Sequence, residues 1–392
     1  MNYKTLTEFS VGGGSYGISA SAVNKSDELP TYLRITDIYD DGTIDFEGLM
    51  SVDDGKSGKY ILEPNDIVFA RTGGSTGRNY FYDGTDGEFV YAGFLIKFSI
   101  DPEKCNPKFI KYYCQSQDYK DWVQSFNTGS TRGNINAKTY GGMPIPDLSR
   151  EQQDLIVNTL SSFDERIVEN KKINHHLAEL LQVNLTKQLE AVTTKYRIGD
   201  LDLTVSDHVA NGSFAALKEN VELVESPDYA LFLRNVDLKS DLNGDRRYVT
   251  KSSYDFLKKS RLSGHEVIIS NVADVGSVHR VPKLNMPMVA GNNVIFLQSQ
   301  NGFLTDYLYV YFISRLGQHD IASITSGSAQ QKFNKTDFRN LEIPVLPNEI
   351  IENEITPLLH YLDNSKSEIT SLMQTRDALL PKLMSGELSV SD

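Results

Sequence analysis

A few short motifs in this chain have the residue types that metal-dependent catalysis needs. Pro146-Asp147, followed by Glu169-Asn170-Lys171, matches the loose pattern of metal-dependent nucleases. Such a site needs its two acidic residues on neighbouring strands, where they can share a metal ion. Glu169 and Lys171 instead lie within a helical heptad pattern, so the motif does not predict a nuclease site.

The motifs that could bind a cofactor are also incomplete. The glycine-rich segment 11–17 lacks the Gly-Lys-Ser/Thr ending of a phosphate-binding loop, and no clear strand precedes it. Asn106-Pro107-Lys108 lacks the Pro-Pro-aromatic continuation with which amino-methyltransferases hold a flipped base. The seven histidines do not have metal-ligand spacing, and Cys105 and Cys114 are too few for a cysteine-based zinc site. We therefore expect no catalytic residue, no metal site and no cofactor site in this chain.

Two pairs of polar loops carry side chains of the kinds that recognise DNA. The first pair is 71–79 and 270–280, and the second pair is 127–136 and 326–334. Arginine can hydrogen-bond guanine O6 and N7, asparagine and glutamine can hydrogen-bond adenine, and serine and threonine can hold phosphates. One polar loop alone is ordinary protein surface, but here both loops occur twice with different side chains. The residues that we predict to contact DNA are Arg71, Thr72, Arg78, Asn79, Arg132, Asn134, Arg234, Asn271, His279, Arg280, Lys283, Ser328, Gln330, Gln331 and Lys332.

These loops recur because the chain is an internal duplication. Leu33-Arg34-Ile35-Thr36-Asp37 is repeated as Leu233-Arg234-Asn235-Val236-Asp237, at an offset of 200 residues. Ile145-Pro146 is repeated as Ile343-Pro344, at an offset of 198 residues, and a long helical pattern follows each copy. A period of this length indicates a duplicated domain and not a solenoid. Two similar but unequal halves suit the recognition of two similar but unequal targets.

Each copy has the pattern of a mixed α/β domain. Strands are predicted by short apolar runs between Gly/Asn/Asp-rich turns, at Tyr32–Ile38, Gly58–Leu62, Asp66–Ala70, Arg78–Tyr82, Phe94–Phe98, Tyr229–Leu238, Glu266–Asn271 and Asn293–Leu297. Helices are predicted at Pro107–Ser125 and Leu304–Leu316, followed by loops at Thr128–Gly142 and Thr325–Thr336.

A long helix with apolar residues at heptad steps follows each copy. Ser149 is the predicted N-cap of the first helix, with Gln152 completing a capping box. The predicted seam residues are Leu160, Phe163, Ile167, Asn170, Asn174, Leu177, Leu181, Ile355, Leu358, Leu362, Ile369, Leu372 and Leu379. The heptads do not decide between parallel and antiparallel pairing, but a pseudo-two-fold relation between the copies would make the helices antiparallel.

The expected organisation is therefore an α+β or α/β fold, with two globular recognition domains separated by a coiled coil of two long helices. The boundaries are 1–148 and 194–346 for the domains, 149–193 and 347–386 for the helices, and 387–392 for a tail. About 30 helical residues span about 45 Å. This length equals roughly a dozen base pairs at about 3.4 Å each, which would place the two domains about one turn of DNA apart.

The overall charge of −13 and the pI of about 5.1 argue against nucleic-acid binding when taken alone. The charge is uneven, however. Residues 229–285 contain ten Lys/Arg and six Asp/Glu, a local excess of +4 (10 − 6), which is compatible with a DNA-binding face. The sequence has no run of 18 apolar residues and no secretory signal, so we expect a cytoplasmic protein without a membrane span.

The organisation and two motifs resemble the specificity subunits of type I restriction–modification systems. Ile145-Pro146 is followed by Glu151-Gln152 at the start of a helix, and the C-terminal helix ends in Leu379-Leu380-Pro381-Lys382-Leu383-Met384-Ser385-Gly386-Glu387. The resemblance covers the whole chain, and this C-terminal motif is its most specific part. It departs at the second helix, where Glu349-Ile350-Ile351 replaces Glu151-Gln152-Gln153.

This resemblance implies a DNA-binding subunit without catalysis. Each domain would recognise one half of a bipartite, asymmetric site on double-stranded DNA, and an antiparallel coiled coil would set the spacer between the halves. Two adenine-N6 methyltransferase subunits, which bind S-adenosylmethionine, would dock on it. Motor–nuclease subunits that use ATP and Mg²⁺ would join for restriction. The competing interpretations are a single-chain nuclease or methyltransferase, and a coiled-coil scaffold or adhesin with no role in DNA binding.

Overall fold

The computed structural model describes residues 2–126, 133–242, 244–327 and 330–388. It divides into two compact units. Unit 1 combines Met1–Glu169 with Glu368–Asp392, and unit 2 is Asn170–Ser367. The predicted boundaries separated the helices from the globular domains, whereas each compact unit contains a globular part together with segments of both long helices.

Unit 1 contains two four-stranded sheets and a short two-stranded ribbon. Its strands are β1 (Tyr3–Thr5), β2 (Ser15–Tyr16), β3 (Ala22–Val23), β4 (Thr31–Leu33), β5 (Met50–Val52), β6 (Asp66–Ala70), β7 (Asn79–Tyr82), β8 (Phe89–Tyr91), β9 (Leu95–Ser99) and β10 (Pro144–Pro146). Its helices are α1 (Leu6–Phe9), α2 (Pro107–Tyr113), α3 (Gln117–Gln124), α4 (Ala137–Gly141) and the first part of α5 (Arg150–Leu189). The strand orders are β2-β9-β6-β7, β3-β5-β4-β8 and β1-β10.

Unit 2 repeats this arrangement. Its strands are β11 (Lys195–Arg197), β12 (Thr204–Asp207), β13 (Leu223–Val224), β14 (Ala230–Leu233), β15 (Tyr248–Val249), β16 (Arg261–Leu262), β17 (Val267–Ser270), β18 (Val278–Arg280), β19 (Met288–Ala290), β20 (Val294–Gln298) and β21 (Glu342–Pro344). Its helices are α6 (Phe214–Asn220), α7 (Asn235–Lys239), α8 (Lys251–Phe256), α9 (Gly302–Ile313), α10 (Arg315–Ile324), α11 (Lys335–Asn340), α12 (Asn348–Ile350) and α13 (Thr356–Met384), of which α13 continues into unit 1.

The strand orders of unit 2 are β12-β20-β17-β18, β13-β15-β14-β19-β16 and β11-β21. The first sheet matches its counterpart in unit 1 strand for strand, and the second matches after β16 is added at one edge. Even the parallel pairs correspond, since β4 pairs with β8 as β14 pairs with β19. The internal duplication expected from the sequence is therefore confirmed.

The core of unit 1 lies where the first sheet meets α2, α3 and α4. Strand β6 is buried along its whole length, as the continuous apolar run Ile67–Ala70 requires. The Phe69 ring stacks on Tyr140 with centroids 4.7 Å apart and meets Phe98 edge-on at 6.1 Å. These rings join α4 to the sheet.

The long helices pair in an antiparallel manner within each unit, as expected. In unit 1, Asp164 accepts a bond from Arg376 at 2.8 Å, while Arg166, further along α5, contacts the earlier Glu368 on α13. In unit 2, Leu181 and Leu185 share a core with α13 residues such as Leu359. Every predicted seam residue is buried or half-buried, and Leu185, Leu359 and Leu380 are buried residues that the heptad assignment missed.

The two long helices begin differently. The predicted capping box is present at α5, where the Gln152 N–H donates to Ser149 Oγ at 3.3 Å and the Ser149 N–H donates to Gln152 Oε1 at 3.1 Å. At the second helix, Pro347 offers no side-chain cap, and a π-helical turn at Ile351–Ile355 separates α12 from α13. A π-turn holds one residue more than an α-turn. The offset between the copies is 198 at Ile145/Ile343, whereas the buried residues Ile156, Val157 and Leu160 of α5 match the buried residues Ile355, Thr356 and Leu359 at an offset of 199, which makes Asp363 the equivalent of Asp164. The π-turn therefore accommodates a one-residue insertion.

Some of the predicted elements were wrong. The predicted strand Gly58–Leu62 is mainly a 3-10 helix, Ser57–Tyr60. The predicted helix Pro107–Ser125 breaks into α2 and α3 because Ser116 caps a new helix by accepting the Tyr119 N–H at 3.3 Å. The predicted loop Thr128–Gly142 contains α4, capped by Asn136. The predicted strands at Tyr32–Ile38 and Tyr229–Leu238 end at Leu33 and Leu233.

Among the residues described, no helix is both long enough and apolar enough to cross a lipid bilayer.

Candidate nucleic-acid interface

In unit 1 the described parts of the two predicted DNA-contacting loops, 71–79 and 133–136, lie side by side. The first loop follows β6 and is closed by Gly77, whose N–H donates to the Ala70 carbonyl at 3.0 Å. The φ of Gly77 is +92°, a conformation that favours glycine. The second loop joins it through the Ile135 N–H, which donates to the Arg71 carbonyl at 3.0 Å, and through a backbone bridge between Thr72 and Asn134. The two loops thus form one surface.

Unit 2 builds the same surface with the same backbone bonds. The Gly276 N–H donates to the Ser270 carbonyl at 3.0 Å, and Gly276 also has a positive φ, +86°. The Phe333 N–H donates to the Asn271 carbonyl at 3.1 Å, and Val272 forms a bridge with Lys332. The scaffold is therefore repeated, whereas the side chains that it presents differ.

Several of the predicted DNA-contacting residues lie on these two surfaces. They are Arg71, Thr72, Arg78 and Asn134 in unit 1, and Asn271, Gln330, Gln331 and Lys332 in unit 2. Asn134, Gln330, Gln331 and Lys332 are exposed. Arg78 is half-buried, and its Nε donates to Asp40 Oδ1 at 2.7 Å. Arg132 and Ser328 lie outside the described residues.

The structure corrects the predicted role of Asn79 and Arg280. Asn79 is buried, and its amide donates to the Cys114 carbonyl at 3.2 Å. The Arg280 side chain is only 8% exposed and forms ion pairs with Asp306 at 2.7 Å and with Asp363 at 2.5 Å. The cause lies in the register: Arg280 pairs with Val267 inside the sheet and is not part of the loop.

His279, Arg234 and Lys283 also lie outside the two joined loops, His279 because it is part of β18. His279 is half-buried on β18, its ring bonds Ser277 Oγ at 2.8 Å, and burial lowers its pKa. Arg234 donates to Asp237 and to the Asp245 carbonyl, just as Arg34 of unit 1 donates to Asp37 and the Gly48 carbonyl. Because both copies make these bonds, we assign Arg234 a structural role. Lys283 is exposed, but it follows β18 at the end of that strand away from the loop.

Comparison with known proteins decides the family. A family model described as "Type I restriction modification DNA specificity domain" matches residues 31–179 and 209–377. The two matched segments cover most of the chain and coincide with its two copies.

This chain belongs to the type I DNA specificity domain family.

Two curated relatives and one solved structure agree with this. The chain is 24% identical over 323 residues to the type I restriction enzyme MjaIX specificity subunit of Methanocaldococcus jannaschii, covering 73% of this chain and 70% of that protein. It is 23% identical over 303 residues to a putative type I specificity subunit of Mycoplasma genitalium, covering 72% of each. The crystal structure of the type I restriction–modification S subunit from M. genitalium has the same fold, with a TM-score of 0.59 and 18% identity over 97% of this chain and 95% of that one. The chain is thus a type I specificity subunit, which recognises DNA without catalysis of its own.

The specificity subunit also has a basic surface on unit 2 that the predicted site residues did not include. Lys251 Nζ lies 4.7 Å from the centroid of the Tyr229 ring, Tyr229 packs on Tyr254 with centroids 5.2 Å apart, and the Arg261 guanidinium lies 4.2 Å from the Tyr254 ring. We call this the cation–aromatic ladder. Beside it, Lys258 and Lys259 are exposed and form no ion pair among the described residues. In the sequence, only the excess of positive charge in 229–285 indicated this basic surface. The alternating arrangement of cations and aromatic rings could not be predicted, because it arises only when the fold brings these residues together.

Residues that could support metal or thiol chemistry are not arranged for it in the described part of this specificity subunit. No group of three or more His, Cys, Asp or Glu side chains there could hold a metal ion. Burial raises the pKa of the Cys105 thiol to about 12 and also raises the pKa of Cys114, so neither is a reactive thiolate.

Proposed function

We propose that each globular unit of this specificity subunit recognises one half of a bipartite, asymmetric DNA site through its paired loops. The observation that supports this is the repetition of the loop scaffold with different exposed side chains. A fixed backbone with variable side chains suits two surfaces that dock similarly on DNA but recognise different bases.

Methylome sequencing of cells that express this chain with its methyltransferase partner tests the proposal. Every methylated site should contain two fixed half-sequences separated by bases of any identity. Replacing Gln330, Gln331 and Lys332 with alanine should relax one half-sequence and leave the other intact. If both half-sequences change together, or if neither changes while DNA binding persists, the proposal that each unit recognises one half-sequence is wrong.

We also propose that α5 and α13 set the spacer between the half-sequences. Their antiparallel contacts support this, since in unit 2 Gln188 donates to Glu354 at 2.8 Å, so residues near Ala178 face residues near Asp363. Inserting one heptad after Ala178 and one after Asp363 lengthens the pair by about 10 Å, at about 1.5 Å per residue. Seven residues restore the phase of the seam.

The double insertion should lengthen the spacer by roughly three base pairs, at about 3.4 Å each. It also rotates one half-site around the duplex by about 100°, since a turn is about 10.5 base pairs, so binding should weaken. A single insertion in α5 alone is the control, because it shifts the seam without a matching change and should reduce assembly. An unchanged spacer with full methylation in the double variant would show that another feature measures the gap.

We further propose that adenine-N6 methyltransferase subunits dock on the long helices and bind S-adenosylmethionine, and that ATP and Mg²⁺ are bound by restriction subunits. Exposed apolar side chains support a docking face on α5: Leu180 is 44% exposed and Val183 is 63% exposed, and residues three apart lie on one helix face. Leu180→Lys with Val183→Lys should reduce co-purification of the methyltransferase. The matched control is His176→Lys with Lys187→Ala, which alters polar exposed positions of the same helix. Equal co-purification in all variants would place the docking surface elsewhere.

A further inference from the structure

The loop surface of unit 1 has an arginine that is held against an aromatic ring. The Arg71 guanidinium lies 5.1 Å from the centroid of the Tyr16 ring, and Tyr16 Oη in turn accepts the Ala137 N–H at 3.2 Å. The ring is therefore anchored at its far end, and it orients the guanidinium through a cation–π contact. Phe94, immediately before β9, is joined to Arg71 through the backbone, since its carbonyl accepts the Arg71 N–H at 3.1 Å. The Tyr16 side chain is 42% exposed and that of Phe94 is 57% exposed.

Arg71 differs from the other described arginines of unit 1 because it has no carboxylate partner among the described residues. The arginines that do form ion pairs with carboxylates are Arg34, Arg78, Arg150, Arg166 and Arg376. Arg71 Nε is buried and has no hydrogen-bond partner among the described residues. The two terminal nitrogens of Arg71 also donate to no described residue, so they are available to an acceptor that arrives from outside the chain.

Unit 2 has different residues at the equivalent positions. Asn271 replaces Arg71, since its N–H donates to the Asn293 carbonyl at 3.1 Å as that of Arg71 donates to Phe94. Asp207 replaces Tyr16, since Asp207 pairs with Ile295 as Tyr16 pairs with Ile96. Asp207 forms an ion pair with Lys335 at 3.1 Å. The arginine and the two aromatic rings are thus specific to unit 1.

We propose that Arg71, held by Tyr16, recognises a guanine in the half-site of unit 1, and that unit 2 recognises a different base pair at the equivalent place. This inference rests on the proposed DNA-recognition function. With Nε buried, Arg71 presents its two terminal nitrogens, a pair that matches guanine O6 and N7 in the major groove. The exposed Phe94, joined to Arg71 through the backbone, adds an apolar side chain to this surface, which favours a base edge or a thymine methyl group over a phosphate, because an apolar ring gains nothing against a phosphate.

The test measures binding of the complex of this chain and its methyltransferase to a DNA library in which each position of both half-sites is varied. Arg71→Lys keeps the positive charge but removes the paired donors. It should relax the preference for guanine at one position of one half-site by roughly 5- to 150-fold, the effect of losing one bidentate base contact, and leave the other half-site unchanged. Asn271→Ala is the matched control in unit 2 and should relax a position only in the other half-site.

Two further variants address the Tyr16 ring. Tyr16→Phe keeps the ring and should keep most of the discrimination, whereas Tyr16→Leu removes the cation–π contact and should reproduce part of the Arg71→Lys effect. Because all of these residues lie at the surface, an unchanged melting transition shows that each variant is folded.

Uniformly weaker binding to all sequences by Arg71→Lys or Arg71→Ala, with a shallower salt dependence, would identify Arg71 as a phosphate contact and overturn the inference while leaving the proposed function in place. Unchanged base preference in both Arg71 variants would overturn it as well. If the unaltered complex showed no sequence preference at all, the proposed function itself would fail.

Discussion

Units 1 and 2 attach their globular parts to the long helices through carboxylates at equivalent positions, Asp164 on α5 and Asp363 on α13, but they use different partners. In unit 1, Asp164 accepts bonds from Tyr112 at 2.8 Å, Lys111 at 3.2 Å and Arg376 at 2.8 Å. In unit 2, Arg280 of the sheet bridges Asp363 and the buried Asp306 of α9.

The neighbouring tyrosines show that these anchors correspond. Tyr113 donates to the Pro144 carbonyl and Tyr307 donates to the Pro344 carbonyl, so Tyr112 and Asp306, one residue before each tyrosine, occupy the same place. The hydroxyl donor Tyr112 of unit 1 is thus replaced by the carboxylate of Asp306 in unit 2. Because a buried carboxylate is stable only beside a cation, Asp306 requires Arg280. Duplication therefore preserved the position of the anchor while the chemistry around it changed, and unit 2 became dependent on a single arginine.

The largest expected effect tests this dependence. Arg280→Met leaves Asp306 buried without a cation, which should destabilise unit 2 by about 3–5 kcal/mol, the usual cost of breaking a buried ion pair from one side. Arg376→Met leaves Asp164 with Lys111 and Tyr112, so unit 1 should lose only about 1–3 kcal/mol. Hydrogen exchange of β17 and of β6 reports on the two units separately. Adding Asp306→Leu and Asp363→Leu to Arg280→Met should restore most of the stability. Equal losses in the two single variants would contradict the comparison.

A smaller effect is expected from Lys258 and Lys259 on the basic surface of unit 2. Lys258→Ala with Lys259→Ala should weaken binding of the complex to all DNA sequences and reduce the salt slope by up to about 2, since each phosphate contact contributes about 0.9. Lys258 and Lys259 lie on a 3-10 helix, Lys258–Ser260, which corresponds to Ser57–Tyr60 of unit 1. The matched control is Lys56→Ala with Lys59→Ala, at the N-cap and within that helix of unit 1, where Asp53 and Asp54 are close in sequence. If the two pairs change the salt slope equally, the charge asymmetry between the units has no role in DNA binding.

The next effect concerns how the long helices begin. Ser149→Ala removes the side-chain cap of α5 and should destabilise unit 1 by about 1 kcal/mol. Pro347 provides no such cap, so Pro347→Ala should not remove a capping bond from the second helix. Trp122 is the only tryptophan and lies in unit 1, so its fluorescence during urea unfolding follows the first variant. Unchanged unfolding of Ser149→Ala would show that the capping box is not stabilising.

The smallest effect is a difference in pH dependence. Burial alone raises the pKa of Asp164, but Lys111, Arg376 and Tyr112 together lower it below its ordinary value. Burial raises the pKa of Asp306 and outweighs the lowering by Arg280 and Thr356. Asp164 therefore contributes stability above the ordinary pKa of 3.8 that is lost as the pH falls through the lowered pKa. Ionised Asp306 instead carries a cost that appears as the pH rises from 3.8 through its raised pKa.

Two asparagine variants test these signs. Asp306→Asn should flatten the pH dependence of unit 2 stability above pH 3.8, and Asp164→Asn should reduce the loss of unit 1 stability below it. Trp122 fluorescence follows unit 1, and hydrogen exchange of β17 follows unit 2. If the stability of unit 2 depended more steeply on pH above 3.8 in Asp306→Asn, ionised Asp306 would be stabilising, which would contradict the cost assigned to it.

Sequence periodicity was sufficient for the larger features and failed where the fold brings distant residues together. The repeated motifs predicted the duplicated sheets, and the heptads placed residues such as Leu160 and Leu181 correctly in the helix interface. Arg280 was placed in a loop because the sequence alone does not show where β18 begins. Tyr16 and Phe94 escaped notice because they are far from Arg71 in sequence and meet it only through the β2-β9-β6 pairing. Apolar patterns report burial, whereas contacts between polar side chains depend on register.

The π-turn at Ile351–Ile355 shows how a duplicated chain tolerates a change in length. In a regular α-helix, one added residue rotates everything beyond it by about 100°, which would turn the apolar stripe of α13 away from α5. The π-turn accommodates the extra residue within a single helical turn. Leu359 and Leu362, which follow this turn, pack in the core of unit 2. The helix can therefore gain length at its start while its stripe keeps the original orientation. The π-turn therefore keeps the apolar face of α13 towards α5. As a result, the segment that connects β21 to α13 can change in length without disturbing the interface between the two long helices.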